Sequence, residues 1–335
     1  MCNGSAFGRP ETGGVCRHMK ESEKLNDLGE QEVIRRLTAR LAARDDVRTG
    51  VGDDTAVVGV EGGTHDFLLT TDPVMEGVHF RPGEAPERIG HKAVGRVLSD
   101  LAAMGGEPMW LLLNVAAPGA TPYDFLERVY AGAERLAGAY GAAIVGGDTA
   151  EAKALELHVF GVGRVPRGEA VLREGAGAGD VIYVTGSLGG SGAGRHLDFE
   201  PRLNEGIWLR KGKWATAMID VSDGLAADLR HIMRRSKLGA VLDRSAVPVS
   251  ASVRADASAS FDHALFEGED YELLFAVASD RRSAFEDAWQ ETFDLACTRI
   301  GVMTDDTNTL AVKQANGTVN QLTGSAYEHF RSHTQ

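Results

Sequence analysis

The chain has 335 residues, 43% of them hydrophobic and 25% charged, the composition of an ordinary globular protein long enough for two domains. Its 35 basic against 48 acidic side chains leave a formal charge of −13, which excludes a general affinity for nucleic acid or anionic membrane. Cys2, Cys16 and Cys297 form no CxxC pair, no apolar run approaches the roughly 20 residues of a membrane span, and residues 1–20 lack the apolar centre of a signal peptide, so a soluble protein of the reducing cytoplasm is expected.

Residues 1–26 are rich in Gly, Ser and charge without apolar periodicity, and are expected to be a mobile extension in which Met19 is an alternative start. From Leu28 the spacing of Val33, Ile34, Leu37 and Leu41 predicts an amphipathic helix ahead of the acidic segment Gly50-Val-Gly-Asp-Asp54. Strands are predicted over 56–60, 66–71, 109–116, 142–145 and 155–165, with helices over 89–104 and 121–140. The turn Pro166-Arg-Gly168 then separates a first domain, 27–166, from a second, 167–335. In the second domain, strands are predicted over 181–185, 215–221, 240–242 and 272–277 and a helix over 222–237. The basic stretches 210–213 and 230–237 read as solvated helix faces.

One device recurs in both halves: an apolar, strand-like run that stops at an aspartate beside Gly, Ser or Thr. It occurs in Phe67-Leu-Leu-Thr-Thr-Asp72, in Ile144-Val-Gly-Gly-Asp148-Thr149 and in Met218-Ile-Asp220-Val-Ser-Asp223-Gly224. A single such aspartate reads as a turn former or helix cap. The set Asp53, Asp54, Asp72, Asp100, Asp148, Asp220 and Asp223 reads as a carboxylate cluster, which needs cations to offset its own repulsion. Oxygen donors without His or Cys favour Mg²⁺, the ion that joins carboxylates to the phosphates of a substrate. Thr70, Thr71 and Ser222 can add oxygens, and Gly146, Gly147 and Gly224 let a phosphate approach the backbone.

No GxxxxGK[ST] loop and no protein-kinase signature occurs. The glycine-rich stretch from Gly186 to Gly194 follows a strand, but Arg195 stands where a dinucleotide fingerprint needs its third glycine, which argues against a Rossmann site.

The string Thr70-Thr-Asp-Pro-Val-Met-Glu-Gly-Val-His-Phe80, followed by Leu98-Ser-Asp-Leu-Ala-Ala-Met-Gly105, resembles the N-terminal signature of thiamine-monophosphate kinases. Gly52-Asp-Asp54, Val145-Gly-Gly-Asp-Thr149, Ile219-Asp-Val-Ser-Asp-Gly-Leu225 and Gly268-Glu-Asp-Tyr-Glu-Leu-Leu-Phe275 follow the same pattern, so the resemblance runs over about 28–330. It implies the α/β (α+β) two-domain fold of the aminoimidazole ribonucleotide synthetase-like ATP enzymes. In that fold an N-terminal sheet domain forms a homodimer and the C-terminal domain is mixed α/β. It further implies in-line phosphoryl transfer from ATP to thiamine monophosphate, with Mg²⁺ as cofactor and a K⁺ requirement left open.

By the same resemblance Asp53, Thr70, Thr71, Asp72, Asp100, Asp148, Asp220 and Asp223 correspond to magnesium ligands. Gly147, Asp148, Arg173 and Ser222 correspond to ATP contacts, and His79, Glu269 and Tyr327 to thiamine-phosphate contacts. No residue is assigned to proton transfer. The usual Gly-Gly-Glu-Asp is Glu267-Gly-Glu-Asp270 here, and the 194–202 stretch is short for the family. Two alternatives stay open: an ATP-using enzyme of the superfamily with another acceptor, and a non-catalytic nucleotide-binding regulator.

Overall fold

The computed structural model of the chain describes residues 23–253 and 260–323. The expected extension, for the most part, and Tyr327 lie outside the described residues. Residues 23–41 belong to a small unit of their own, with a short helix α1 (Leu25–Leu28) and the helix α2 (Glu30–Thr38). Helix α2 is amphipathic as the spacing predicts, yet Leu37 is exposed, and Leu41 lies beyond the helix end.

From Ala42 onward the described residues form one compact unit that holds two sheets. The first sheet contains β1 (Val47–Thr49), β2 (Ala56–Gly59), β3 (His65–Met75), β4 (Glu107–Ala117), β5 (Ala143–Gly146), β6 (Thr149–Glu151) and β7 (Glu156–Pro166). Its order is β1-β2-β3-β7-β4-β5, with β6 paired to β4. The long β3 and β7 pair antiparallel over their whole length, from His65 opposite Pro166 to Met75 opposite Glu156. Alternation along β3, β4 and β7 sends Leu68, Leu111, Leu113, Leu157 and Val159 into the core, under helices α3 (Pro86–Ala103) and α4 (Tyr123–Ala139). The opposite face leaves Trp110, Leu112 and Val145 exposed.

Helix α3 opens with Pro86 in its first turn and Glu87 near the positive end of the helix dipole, and it stops before Gly105, whose φ of +66° an L side chain would resist. Two glycines let α3 and α4 approach closely. A Cβ on Gly90 would lie 1.9 Å from the Val129 carbonyl, and one on Gly132 would lie 2.0 Å from that of Glu87. This approach seats α3 deep in the molecule, so its far face can carry polar groups into an interior cleft.

The second sheet contains β8 (Val181–Thr185), β9 (Ala215–Asp220), β10 (Gly239–Asp243), β11 (Leu273–Val277), β12 (Cys297–Thr304), β13 (Leu310–Lys313) and β14 (Val319–Gln321), in the order β14-β13-β10-β12-β8-β11-β9. Central strands β8 and β11 are buried on both faces. Val181, Tyr183, Leu273 and Phe275 join a cluster continuous with the first sheet's core, whereas Ile182, Val184, Leu274 and Ala276 join a second cluster. Helix α6 (Leu225–Ser236) packs in that second cluster, as does α7 (Ser260–Phe266); α5 (Leu203–Lys211) and α8 (Arg282–Thr292) contribute to the first.

One sequence expectation fails here. Arg210 does not sit on a solvated face: its side chain is 2% exposed, with Nε donating to the Gly105 carbonyl at 2.7 Å and Nη1 to Glu169 at 2.9 Å. It closes the C-terminal end of α3, a task that the local charge pattern does not reveal.

Candidate active site

Three carboxylates converge between the two sheets. Asp54 follows β1, Asp100 lies in the last turn of α3, and Asp220 ends β9; one oxygen of each lies within 4.8 Å of the others. Thr70 on β3 donates its hydroxyl to Asp100, and Ser99 donates to Asp220 at 2.5 Å. Burial and the charges of Asp72, Asp220 and Asp54 push the Asp100 carboxyl well above the usual carboxylate range. Burial, and then the charge of Asp54, push Asp220 up to about 7. Asp53 is also pushed up to about 7, first by burial and then by the charge of Asp54. These groups resist ionising together, and their all-oxygen donor set fits a hard divalent cation that would offset the repulsion.

Cations of the chain border the cluster. Arg173 donates to Asp54 through Nη2 at 2.7 Å and Nε at 3.2 Å, and its backbone N–H reaches Asp53 at 3.2 Å. Its Nη1 lies 3.4 Å from His231 Nδ1. Arg96 donates to Asp72 at 2.8 Å and to the Pro73 carbonyl at 3.2 Å. Burial outweighs this partner and leaves the Asp72 carboxyl raised. Asp228, which caps the start of α6 by accepting from the backbone N–H groups of Asp223 and Gly224, is likewise raised well above its usual range by burial and by the charges of Asp223 and Asp220.

The expected metal ligands therefore separate. Asp100, Asp220 and Thr70 come together, Asp72 adjoins them through Arg96, and Asp53 bonds the Arg173 backbone. Thr71 departs from the expectation: the two-residue period of β3 places Leu68, Thr70 and Asp72 on one face and sends the Thr71 side chain to the exposed face. Asp148 and Asp223 are exposed and lie outside the three-carboxylate group, Asp148 accepting from its neighbour Thr149 at 2.9 Å. Gly147 stands beside Asp148, where a Cβ would be 1.9 Å from the Leu113 carbonyl, so only glycine lets this turn lie on β4. The Ser222 carbonyl accepts from the Glu269 backbone N–H at 2.8 Å.

A separate cavity of about 400 Å³ has walls that include His79, Phe80, Arg88, Gly192, His196 and Glu269. Two of the three expected acceptor contacts, His79 and Glu269, thus share one cavity. Met75 N–H donates to His79 Nδ1 at 3.1 Å, which leaves the ring proton on Nε2. Glu269 and Tyr271 both adopt left-handed backbone, φ +64° and +52°, and the Tyr271 ring stacks on Phe199 with centroids 4.0 Å apart. Neighbouring Gly268 cannot carry a side chain, because a Cβ would lie 2.4 Å from the Ser222 carbonyl.

The glycine-rich stretch 186–194 is excluded as a phosphate cradle by its own partners. Gly189 N–H donates to Asp270, and the N–H groups of Gly190 and Gly192 donate to Glu267, so carboxylates occupy the donors that an anion would need.

Several site residues escaped the sequence reading: Asp54 as the member of its pair that faces the cluster, and Lys92, Arg96, Ser99 and His196. For three of them a signal existed. Lys92, Arg96 and Asp100 recur every four residues, and Ser99 falls on the same face of a helix whose other face is apolar.

Two α/β halves built around this carboxylate cleft define an AIR synthase related protein. The chain matches the family described as AIR synthase related protein, N-terminal domain, over 52–165 and its C-terminal domain over 177–313. It is 35% identical over 329 residues to the thiamine-monophosphate kinase of Escherichia coli (strain K12), spanning 90% of this chain and 98% of that protein. The solved structure of AaThiL complexed with AMPPCP and TMP matches with a TM-score of 0.77 at 31% identity, covering 92% of this chain and 100% of that one. The chain belongs to the thiamine-monophosphate kinase family. Hydrogenase maturation protein HypE of E. coli, at 22% identity and a TM-score of 0.68, shares the fold alone. Among the described residues no helix is long and apolar enough to cross a membrane.

Proposed function

We propose that this protein transfers the γ-phosphoryl group of ATP to the phosphate of thiamine monophosphate, giving thiamine diphosphate and ADP. The observations that carry the reading are the Asp54, Asp100 and Asp220 group and a cavity lined by His79 and Glu269. The likeness to AaThiL complexed with AMPPCP and TMP supports the same pair of ligands.

In this reading Asp54, Asp100 and Asp220 would hold Mg²⁺, with Asp53, Asp72, Asp148 and Asp223 as further candidate oxygen donors, and the ion would supply charge neutralisation for two phosphate-bearing ligands. Arg173 presents a guanidinium that Asp54 holds in place, suited to phosphate oxygens by its planar fork. Gly147 and Asp148 border the nucleotide, and Ser222 fixes the loop that carries Glu269. An acceptor phosphate oxygen attacks the γ-phosphorus while the bond to the β-phosphate oxygen breaks and ADP leaves. The acceptor is already ionised near neutral pH, its second pKa being about 6, so no general base is required. Glu269 accepts from the aminopyrimidine, and His79 Nε2–H faces the acceptor as a donor. The reaction belongs in the cytoplasm, where ATP and reduced thiols such as that of Cys297 coexist.

The test is an assay of ATP consumption over a panel of acceptors with the product identified by mass. Thiamine monophosphate should give the diphosphate in a Mg²⁺-dependent reaction, and unphosphorylated thiamine should not react. Equal turnover of thiamine, or turnover only with some other acceptor, overturns the assignment.

We also infer a homodimer through the first sheet, because Trp110, Leu112 and Val145 expose a contiguous apolar strand face that water disfavours. Light scattering should give twice the chain mass, and Trp110→Glu should shift it to the chain mass. A wild-type monomer would remove this inference.

A further inference from the structure

The side chain of Lys92 is fully buried, yet the three groups that it touches all border the cavity. Its ammonium donates to the His79 carbonyl at 2.6 Å, to His196 Nδ1 at 2.6 Å and to Glu269 Oε1 at 2.5 Å. These acceptors come from three separate segments: the turn after β3, the 3-10 turn Arg195–Leu197, and the loop ahead of β11. A lysine has three ammonium hydrogens, and here each has one acceptor, so the geometry uses every donor. Because the ammonium donates to His196 Nδ1, that imidazole is neutral, which agrees with the downward pull of burial and of the Lys92 charge on its pKa; the 3.4 Å approach of His196 to Glu269 is therefore no ion pair.

Stability alone explains this arrangement poorly. Taking an ammonium out of water costs several kcal/mol, and an apolar residue of similar size often serves the fold equally well. Glu269, moreover, sits on left-handed backbone, a conformation that persists where surrounding contacts over-determine it.

We propose that Lys92 is a positioning residue for acceptor recognition: from beneath the cavity it fixes the Glu269 carboxylate and ties the His79 and His196 walls to one helix. This rests on the reading of the cavity as the acceptor pocket. Lys92 acts through Glu269 and touches no substrate. Its removal frees a carboxylate that is 32% exposed and can rehydrate, so the fold survives while the aim of Glu269 is lost.

The test compares Lys92→Met, Glu269→Gln and the double variant with the parent, using thiamine monophosphate and a phosphorylated thiazole that lacks the aminopyrimidine. For Lys92→Met the KM for thiamine monophosphate should rise about 10–100-fold, the loss expected for a charge-assisted contact, while the KM for ATP stays unchanged. The preference for thiamine monophosphate over the thiazole phosphate should shrink by a similar factor. The double variant, which leaves no unpaired buried charge, should be no worse than Glu269→Gln alone. A lower melting temperature with unchanged acceptor KM, equal rises in both KM values, or additive losses in the double variant would each overturn the inference. If the parent itself does not turn over thiamine monophosphate, the functional assignment fails instead, and the two failures are told apart by that control.

Discussion

Asp220→Asn is expected to raise the melting temperature of the Mg²⁺-free protein and to lower turnover by orders of magnitude. The side chain is buried 121 residues away in sequence from its partner Ser99 and faces Asp54 and Asp100. Its carboxyl is pushed up to about 7 by burial and by Asp54. The folded state therefore holds a proton that the unfolded chain has already released, so stability falls as pH rises from the ordinary carboxylate value to about 7, and the full penalty stands above that. An amide carries no such penalty. The gain in melting temperature of Asp220→Asn over the parent should accordingly be small near pH 4, grow as pH climbs to about 7 and then level off. With Mg²⁺ and ATP the sign reverses, because the parent gains from binding what the variant cannot. Calorimetry across pH, with and without MgATP, beside a turnover assay, checks both halves. A variant that is less stable without metal, or fully active, removes Asp220 from the metal site.

Arg173→Met should act in the opposite direction on the free protein. Arg173 is the cation that meets Asp54, whose side chain is 1% exposed. Removing one partner of a buried pair strands the other and costs about 3–5 kcal/mol. The melting temperature should fall by several degrees, and added Mg²⁺ should restore much of it, because the cation then takes over the charge that the guanidinium offset. Nucleotide affinity should weaken by about tenfold or more, since one charge-assisted fork to phosphate is lost. Titration calorimetry with an ATP analogue tests this. Unchanged nucleotide affinity in a folded variant assigns Arg173 a structural role only.

Asp72 shows why these variants suit the question better than its own replacement. Its partner Arg96 is half-buried, so Asp72→Asn removes a repelling carboxylate and strands a cation in the same step, and the two effects on stability oppose each other. Asp220 forms no ion pair within 4 Å among the described residues, and burial with the charge of Asp54 outweighs the opposing pull of its Ser99 hydrogen bond and of Arg173.

The alternating and helical periods made β3, β4, β7, β8, α3, α4 and α6 legible, because a half-buried element must repeat its apolar residues at the backbone's own period. The short β1, β6, β13 and β14, each three or four residues long, offer too few residues for a period, and β6 and β14 are exposed throughout. Helix α5 hides its start behind a short loop and buries Arg210, a residue that reads as solvent-facing in any window of sequence.

At the site, the sequence by itself determined the donor set, repeated strand-end aspartates with neither His nor Cys beside them, and the motif order names the family. The tertiary structure alone decided which carboxylates meet. Asp53 and Asp54 are neighbours in a segment with no period, so only the approach of Arg173, 119 residues on, selects Asp54 for the cluster. Thr70 and Thr71 are separated by the strand's two faces. Lys92 and Glu269 lie 177 residues apart, and their contact exists because two glycines draw α3 against α4 while Gly268 admits its loop to the Ser222 carbonyl. Local pattern records what each backbone segment must bury, whereas the meeting of distant charges depends on how closely whole elements can pack, and that is set by small residues whose neighbours the linear sequence does not reveal.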